Sequence, residues 1–193
     1  MKSNLGFLFC AAVLSISLAG CSPKSRAVQT YKKAGVQFSY YSDWSVEKDA
    51  PVDGKPDVRS IRLKGPDHAI VTIICVPPSS PQTLEQFAEA VAVRRKTKIE
   101  DKLSLGSLKT ASVDKGTSEP VVGKVGGHDE SGLHQQYSIE MLGQKVPHDV
   151  MFFMLRGAKY KVMIMSQVIQ SRLEASRPAI ELILDSLRIE GSP

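Results

Sequence analysis

The chain has 193 residues, 42% of them hydrophobic, with three cysteines and a formal net charge of +5. That length suits one domain with a substantial core. The positive charge is too small and too dispersed for a nucleic-acid surface, so no nucleic-acid partner is expected.

Lys2 gives the N-terminus a positive start, and Leu5 to Leu18 is an apolar run interrupted only by Gly6, Cys10, Ser15 and Ser17. A spanning helix needs about 20 apolar residues, whereas the core of a signal peptide needs about 7–15. The run falls in the second range and closes on Leu18-Ala19-Gly20-Cys21. This motif resembles a bacterial lipobox. The resemblance makes residues 1–20 a signal peptide, with Leu18, Ala19 and Gly20 read by the peptidase and Cys21 carrying lipid at the new N-terminus. A single acyl chain anchors only marginally, and the resemblance implies a diacylglyceryl group plus an N-acyl chain. The expected address is the cell envelope, with Ser22 compatible with onward sorting to an outer membrane. With Cys10 removed and Cys21 acylated, Cys75 stands alone and no intramolecular disulfide can form.

Residues 21–30 are polar and aperiodic and read as a flexible tether, and residues 31–190 as a single domain. Val36 to Tyr40 alternates as a strand before a turn at Ser42-Asp43 and Trp44, which is expected in the core. Ser60 to Leu63 and Ala69 to Val76 form a hairpin around Lys64 to Asp67, with Cys75 as a small core hydrophobe. Thr83 and Gln86 make a capping box, and Leu84, Phe87, Ala88 and Val91 mark one helical face. The basic group Arg94, Arg95, Lys96 and Lys98 closes that helix, where cations favour the negative end of its dipole. Asp101 to Pro120 reads as a loop, and Gly126-Gly127 as a bulge or bend in a continuing strand.

Leu133 to Leu142, Lys145 to Arg156 and Lys159 to Gln167 read as a meander with two-residue turns at Gly143-Gln144 and Gly157-Ala158. Ser176 and Pro178 then open a last helix through Ile180, Leu184 and Leu187. These turns put Tyr137, Ile139, Val150, Phe152, Met163 and Met165 on a core face. The opposite face sets His134 beside Phe153, Gln136 beside Met151, and Ser138 beside Asp149 and Ser166. It is greasy in the middle strand and polar along its flank. Gln136, Ser138, Glu140 and Asp149 therefore mark either a solvated edge or an interaction groove.

His128, Asp129, Glu130 and His134 offer zinc-type ligands, but six strand residues span roughly 20 Å, so no metal site and no cofactor is expected. There is no G-x-S-x-G elbow, and the glycines at 123, 126 and 127 match neither a P-loop nor G-x-G-x-x-G. No catalytic residue is assigned.

Ala34-Gly35-Val36-Gln37-Phe38-Ser39-Tyr40-Tyr41-Ser42-Asp43-Trp44 resembles the opening signature of the PsbP-like family. The helix after two strands, the Gly126-Gly127 step, the meander and Ile183-Leu184-Asp185-Ser186-Leu187 fit the same pattern. The family usually has a proline before the turn, where this chain has Tyr41. The resemblance implies an α+β, three-layer α-β-α sandwich around a largely antiparallel sheet. Its members, DcrB-type bacterial lipoproteins among them, are non-enzymatic binding or assembly modules. The expectation is a lipid-anchored accessory protein with an envelope protein partner. Binding of a small ligand or metal ion, and an unrecognised hydrolase, are the alternatives.

Overall fold

Alternating β-branched and aromatic residues put most of the described residues into antiparallel strands, and among them two stretches keep a helical period long enough to pack. The computed structural model describes residues 26–191 except 53, 103, 106, 107, 110, 115 and 142. Residues 1–20, read from sequence as a signal peptide and including Leu18, Ala19 and Gly20, lie outside the described residues, as does Cys21. In chain order come β1 (Val28–Lys33), β2 (Val36–Tyr41), β3 (Ser45–Val52), β4 (Lys55–Lys64), β5 (Ile70–Val76) and α1 (Leu84–Lys102). Then follow β6 (Ser104–Leu105), β7 (Leu108–Lys109), β8 (Ala111–Asp114), β9 (Ser118–Val125), β10 (His128–Met141), β11 (Gln144–Arg156) and β12 (Lys161–Ile169). Helix α2 (Leu173–Asp185) and β13 (Arg188–Ile189) close the fold. Strand pairing starts at Val28, inside the stretch that composition assigns to the tether.

The main sheet runs β3-β4-β5-β12-β11-β10-β8, with β9 also on β10. A smaller sheet runs β1-β2-β13. On one face, Leu84, Phe87 and Ala88 of α1 pack on Val150, Phe152 and Met163. On the other, Ala179, Ile180, Ile183 and Leu184 of α2 share a core with Ile73, Val162 and Ile164. The parity of the strands sorts Phe152 to α1 and Phe153 to α2. The architecture is thus α+β, three layers deep, with every described strand pair antiparallel.

The capping box forms as its spacing requires: Gln86 N–H donates to Thr83 Oγ1 at 3.2 Å and Thr83 N–H to Gln86 Oε1 at 3.0 Å. Trp44 is buried, and so is Cys75, whose thiol burial pushes up to about 11. Lys161 is buried beneath the loop before α1, where its ammonium donates to the carbonyls of Ser80 and Gln82.

Four expectations are corrected. Residues 101–120 carry short strands rather than a loop, because β8 and the start of β9 find a partner in the long β10. Gly126-Gly127 reverses the chain: both residues have positive φ (67° and 87°), as a type I′ turn demands, and Val125 pairs with His128. The meander turns differ too. The first hairpin closes at Met141 and Gln144, and the second leaves four residues between Arg156 and Lys161. Each register is offset by two residues from the expected one. Finally, α2 begins at Leu173, with a 3-10 turn over Gln170–Arg172 leading in, so Pro178 lies inside the helix and costs it one backbone hydrogen bond.

Candidate functional site

The C-terminal end of α2 is pinned to the β9–β10 turn, where Gly126 N–H donates to Leu184 O at 2.9 Å. Between the helix and the sheet lies a cleft of about 620 Å³. Its floor holds Met151, Phe153, Val168, Ser166 and Asp149. Its walls are Val121 to Lys124 of β9 and the Arg177, Ile180, Glu181 and Asp185 side of α2. The volume falls in the range of about 300–1,000 Å³ usual for ligand sites, and the lining is mainly apolar.

Two glycines shape the floor. A Cβ at Gly123 would lie 2.6 Å from the Phe153 ring, and one at Gly132 would lie 2.6 Å from the same ring and 2.5 Å from Phe152 O. The phenyl ring therefore occupies the room that two side chains would otherwise need.

Asp149 gives the cleft a polar edge, which His134 and Glu119 continue beyond the lining. His134 Nε2 stands 2.6 Å from Asp149 Oδ2, and its Nδ1 2.9 Å from Glu119 Oε1. Burial opposes the charge on His134, but the hydrogen bonds to Glu119 and Asp149 outweigh it and raise its pKa above the usual value. The chain Glu119–His134–Asp149 ties β9, β10 and β11 together side chain to side chain. His148, on the opposite face, stacks on Tyr137 at 4.8 Å between ring centroids and donates from Nδ1 to Val146 O. Burial lowers its pKa.

The sequence-derived groove residues share one face of β10 and β11, but of the four Asp149 alone lines the cleft. Asp149 is buried and lines the cleft. Gln136 is exposed opposite Asp149, Ser138 is half-buried opposite Pro147 and Asp114, and Glu140 is exposed opposite Lys145 and Ser112. Asp149 is therefore the neighbour of Gln136 rather than of Ser138, and Ser166 pairs with Met151. His128 sits beside the turn glycines, away from His134, and among the described residues no three His, Cys, Asp or Glu are grouped to hold a metal. Glu119, Arg177, Glu181 and Asp185 were not singled out from sequence. The Gly126-Gly127 pair was the available signal for Glu119, since a two-residue turn there places Glu119 opposite His134.

A second polar cluster lies at the joint of the two sheets. Asp49 accepts from Tyr31 Oη (2.9 Å), Lys33 Nζ (2.6 Å) and Arg59 Nε (2.7 Å), and Arg59 also donates to Lys33 O at 3.1 Å. The Arg59 hydrogen bond, more than offsetting burial and aided by Lys33 and Tyr31, holds the Asp49 carboxyl well below the usual range. The geometry is that of a staple between β1, β3 and β4.

No protein-family model matches the chain, and no curated protein does. Among solved structures the chain is similar to the cyanobacterial PsbP protein of Synechocystis sp. PCC 6803, at 16% identity and a TM-score of 0.48, covering 89% of this chain and 98% of that one. It is also similar to LpqN of Mycobacterium tuberculosis, a protein described as involved in cell envelope biogenesis, at 9% identity and a TM-score of 0.34, covering 89% and 87%.

Proposed function

We propose that this chain is a lipid-anchored binding or accessory protein of the bacterial cell envelope, doing no chemistry of its own and holding its partner at the α2 cleft. The observation that carries this reading is the cleft itself, a mainly apolar hollow beside a histidine with both ring nitrogens already committed to carboxylates. A general base needs a free nitrogen to take a nucleophile's proton, and His134 has none to offer. The motif at Leu18 to Cys21 supports the anchor. From Cys21 to the start of β1 at Val28 the tether reaches at most about 25 Å, which keeps the module close to the bilayer.

Two measurements test the reading. Protein purified from its native membrane should begin at residue 21 and carry acyl mass, and Cys21→Ala should leave the membrane fraction. In-membrane crosslinking should then capture the envelope partner several-fold less well with Cys21→Ala. Retention of residues 1–20, absence of acyl mass, or equal capture by both forms would overturn it.

A further inference from the structure

Strand register brings the entry of the tether and the basic end of α1 to the same end of the molecule. Val28, where the chain from Cys21 enters the fold, pairs with Tyr41, and the turn after Tyr41 leads into β3 at Ser45. From Ser45 one row crosses the main sheet through Lys64, Ile70, Gln167 and Val150. Two residues further towards that end His148 pairs with Tyr137, and Arg95 of α1 lies 3.7 Å over the Tyr137 ring. Helix α1 therefore ends where the tether begins, and the tether reaches at most about 25 Å from Cys21 to Val28.

The acids of this end are matched, and several of its cations are not. Asp43 pairs with Arg26 at 3.3 Å, Asp67 with Arg172 at 3.8 Å and Asp114 with Lys145 at 3.2 Å, and Glu140 stands opposite Lys145. Lys64, Arg94, Lys96 and Lys98 are exposed and have no ion pair among the described residues. Residues 94–102 carry five cations against Glu100 and Asp101. At the opposite strand ends the charges alternate. Lys55 stands two residues from Asp57, Lys124 opposite Asp129, and Lys159 lies 3.2 Å from Glu190. Apolar surface is exposed beside the unmatched cations. Val28 is 57% and Val93 56% exposed. A helical step of about 100° per residue turns Val93 outward, with Arg94 and Lys96 on either side of it. Packing of the core needs none of these, because Leu84, Phe87, Ala88 and Arg95 hold the other face of α1 to the sheet. Cations around an exposed apolar side chain suit the boundary between anionic head groups and acyl chains.

We propose that the end bearing Lys64, Arg94, Lys96 and Lys98 docks on an anionic lipid surface, with Val93 at the level of the head groups. The inference rests on the anchored reading and adds the orientation that a tether alone does not fix. The β9–β10 turn, at the opposite strand ends, then faces away from the bilayer. Protein purified from its native membrane is placed on vesicles of phosphatidylcholine, alone or with about one-third phosphatidylglycerol. Its lysines are acylated with a neutral reagent and read one by one by mass spectrometry. On the anionic vesicles Lys64, Lys96 and Lys98 should label about threefold or more slowly than on the neutral ones, and added salt should erase the difference. Lys55 and Lys124 should label alike on both. In Arg94→Gln/Lys96→Gln/Lys98→Gln, where every change is at an exposed position, Lys64 should lose its protection. Equal labelling on the two vesicles, equal protection of Lys55 and Lys124, or protection of Lys64 that survives the triple variant would overturn the docking. Protection seen in native membranes but absent on anionic vesicles would give this face to an acidic protein and overturn it too. Protein found without acyl mass would sink the anchored reading, while the same vesicle contrast would still decide the docking face.

Discussion

Asp49 shows how much one side chain can carry when its partners come from different elements. Tyr31 lies on β1 and Arg59 on β4, and their hydrogen bonds to one carboxylate fasten the small sheet to the large one. The Arg59 and Asp49 side chains are only 15% and 13% exposed, whereas Lys33 is 63% exposed. Removing Asp49 leaves a partly buried guanidinium without its anion, and such orphaning is costlier than the net worth of the pair. Asp49→Asn should therefore lower unfolding free energy by about 1–3 kcal/mol in urea at neutral pH. Lys33→Ala should cost about 1 kcal/mol or less, because an exposed ion pair is screened. Equal losses in the two variants would show that burial of the Arg59 pair does not matter. Cys75, opposite Arg59 in the β4–β5 register, makes a contrasting case at the same scale. Its raised pKa and complete burial leave it a packing group rather than a nucleophile.

At the scale of elements, turns and glycines decide which residues meet. Gly132 pairs with Phe153 across β10 and β11, and a methyl there would strike both the Phe153 ring and the backbone oxygen of Phe152. A backbone oxygen in a central strand cannot give way, so Gly132→Ala should destabilise the fold by about 1–3 kcal/mol and disturb the cleft floor. A stability change within about 0.5 kcal/mol would refute that packing. The same elements explain what could be read from sequence. Helix α1 was legible because its signals are local: a capping box at Thr83 and Gln86, then apolar residues at helical spacing. The two faces of the meander were legible because an error of two residues in register preserves parity, so Val150, Phe152 and Met163 still face α1. The cleft was not legible, because parity does not fix neighbours. Seeing His134 between Glu119 and Asp149 requires the true closing pairs of two hairpins, one of them at Gly126-Gly127, a step that reads in sequence as a bulge or bend in a continuing strand. The start of α2 was misplaced because Pro178 signals a first turn in sequence, yet the helix tolerates it six residues in.

For the molecule as a whole, the buried and paired ionisable groups set the pH range in which it is most stable. His134 has a raised pKa in the fold, so the folded state holds its proton more tightly than the unfolded state. Its contribution is complete below the unfolded value of about 6.5 and is lost as pH rises through the folded value. His148 works the other way. Burial lowers its pKa, so unfolding below about 6.5 takes up a proton that the fold refuses, and stability falls with falling pH. Asp49 adds to the acid side: its lowered pKa gives a contribution complete above about 4 and lost below it. Stability should therefore peak near pH 6.5 and decline on both sides, with different residues responsible for each limb. In His134→Gln, Glu119 and Asp149 keep a hydrogen-bonding neighbour but lose the proton exchange. The absolute stability should fall, and the decline above about pH 6.5 should flatten, while the acid limb keeps its shape. Urea unfolding of the wild type and His134→Gln between pH 5 and 9 measures both slopes. An unchanged alkaline slope would mean that the ring between Glu119 and Asp149 does not hold an extra proton in the fold, and the polar edge of the cleft would then be more negative than its hydrogen bonds imply.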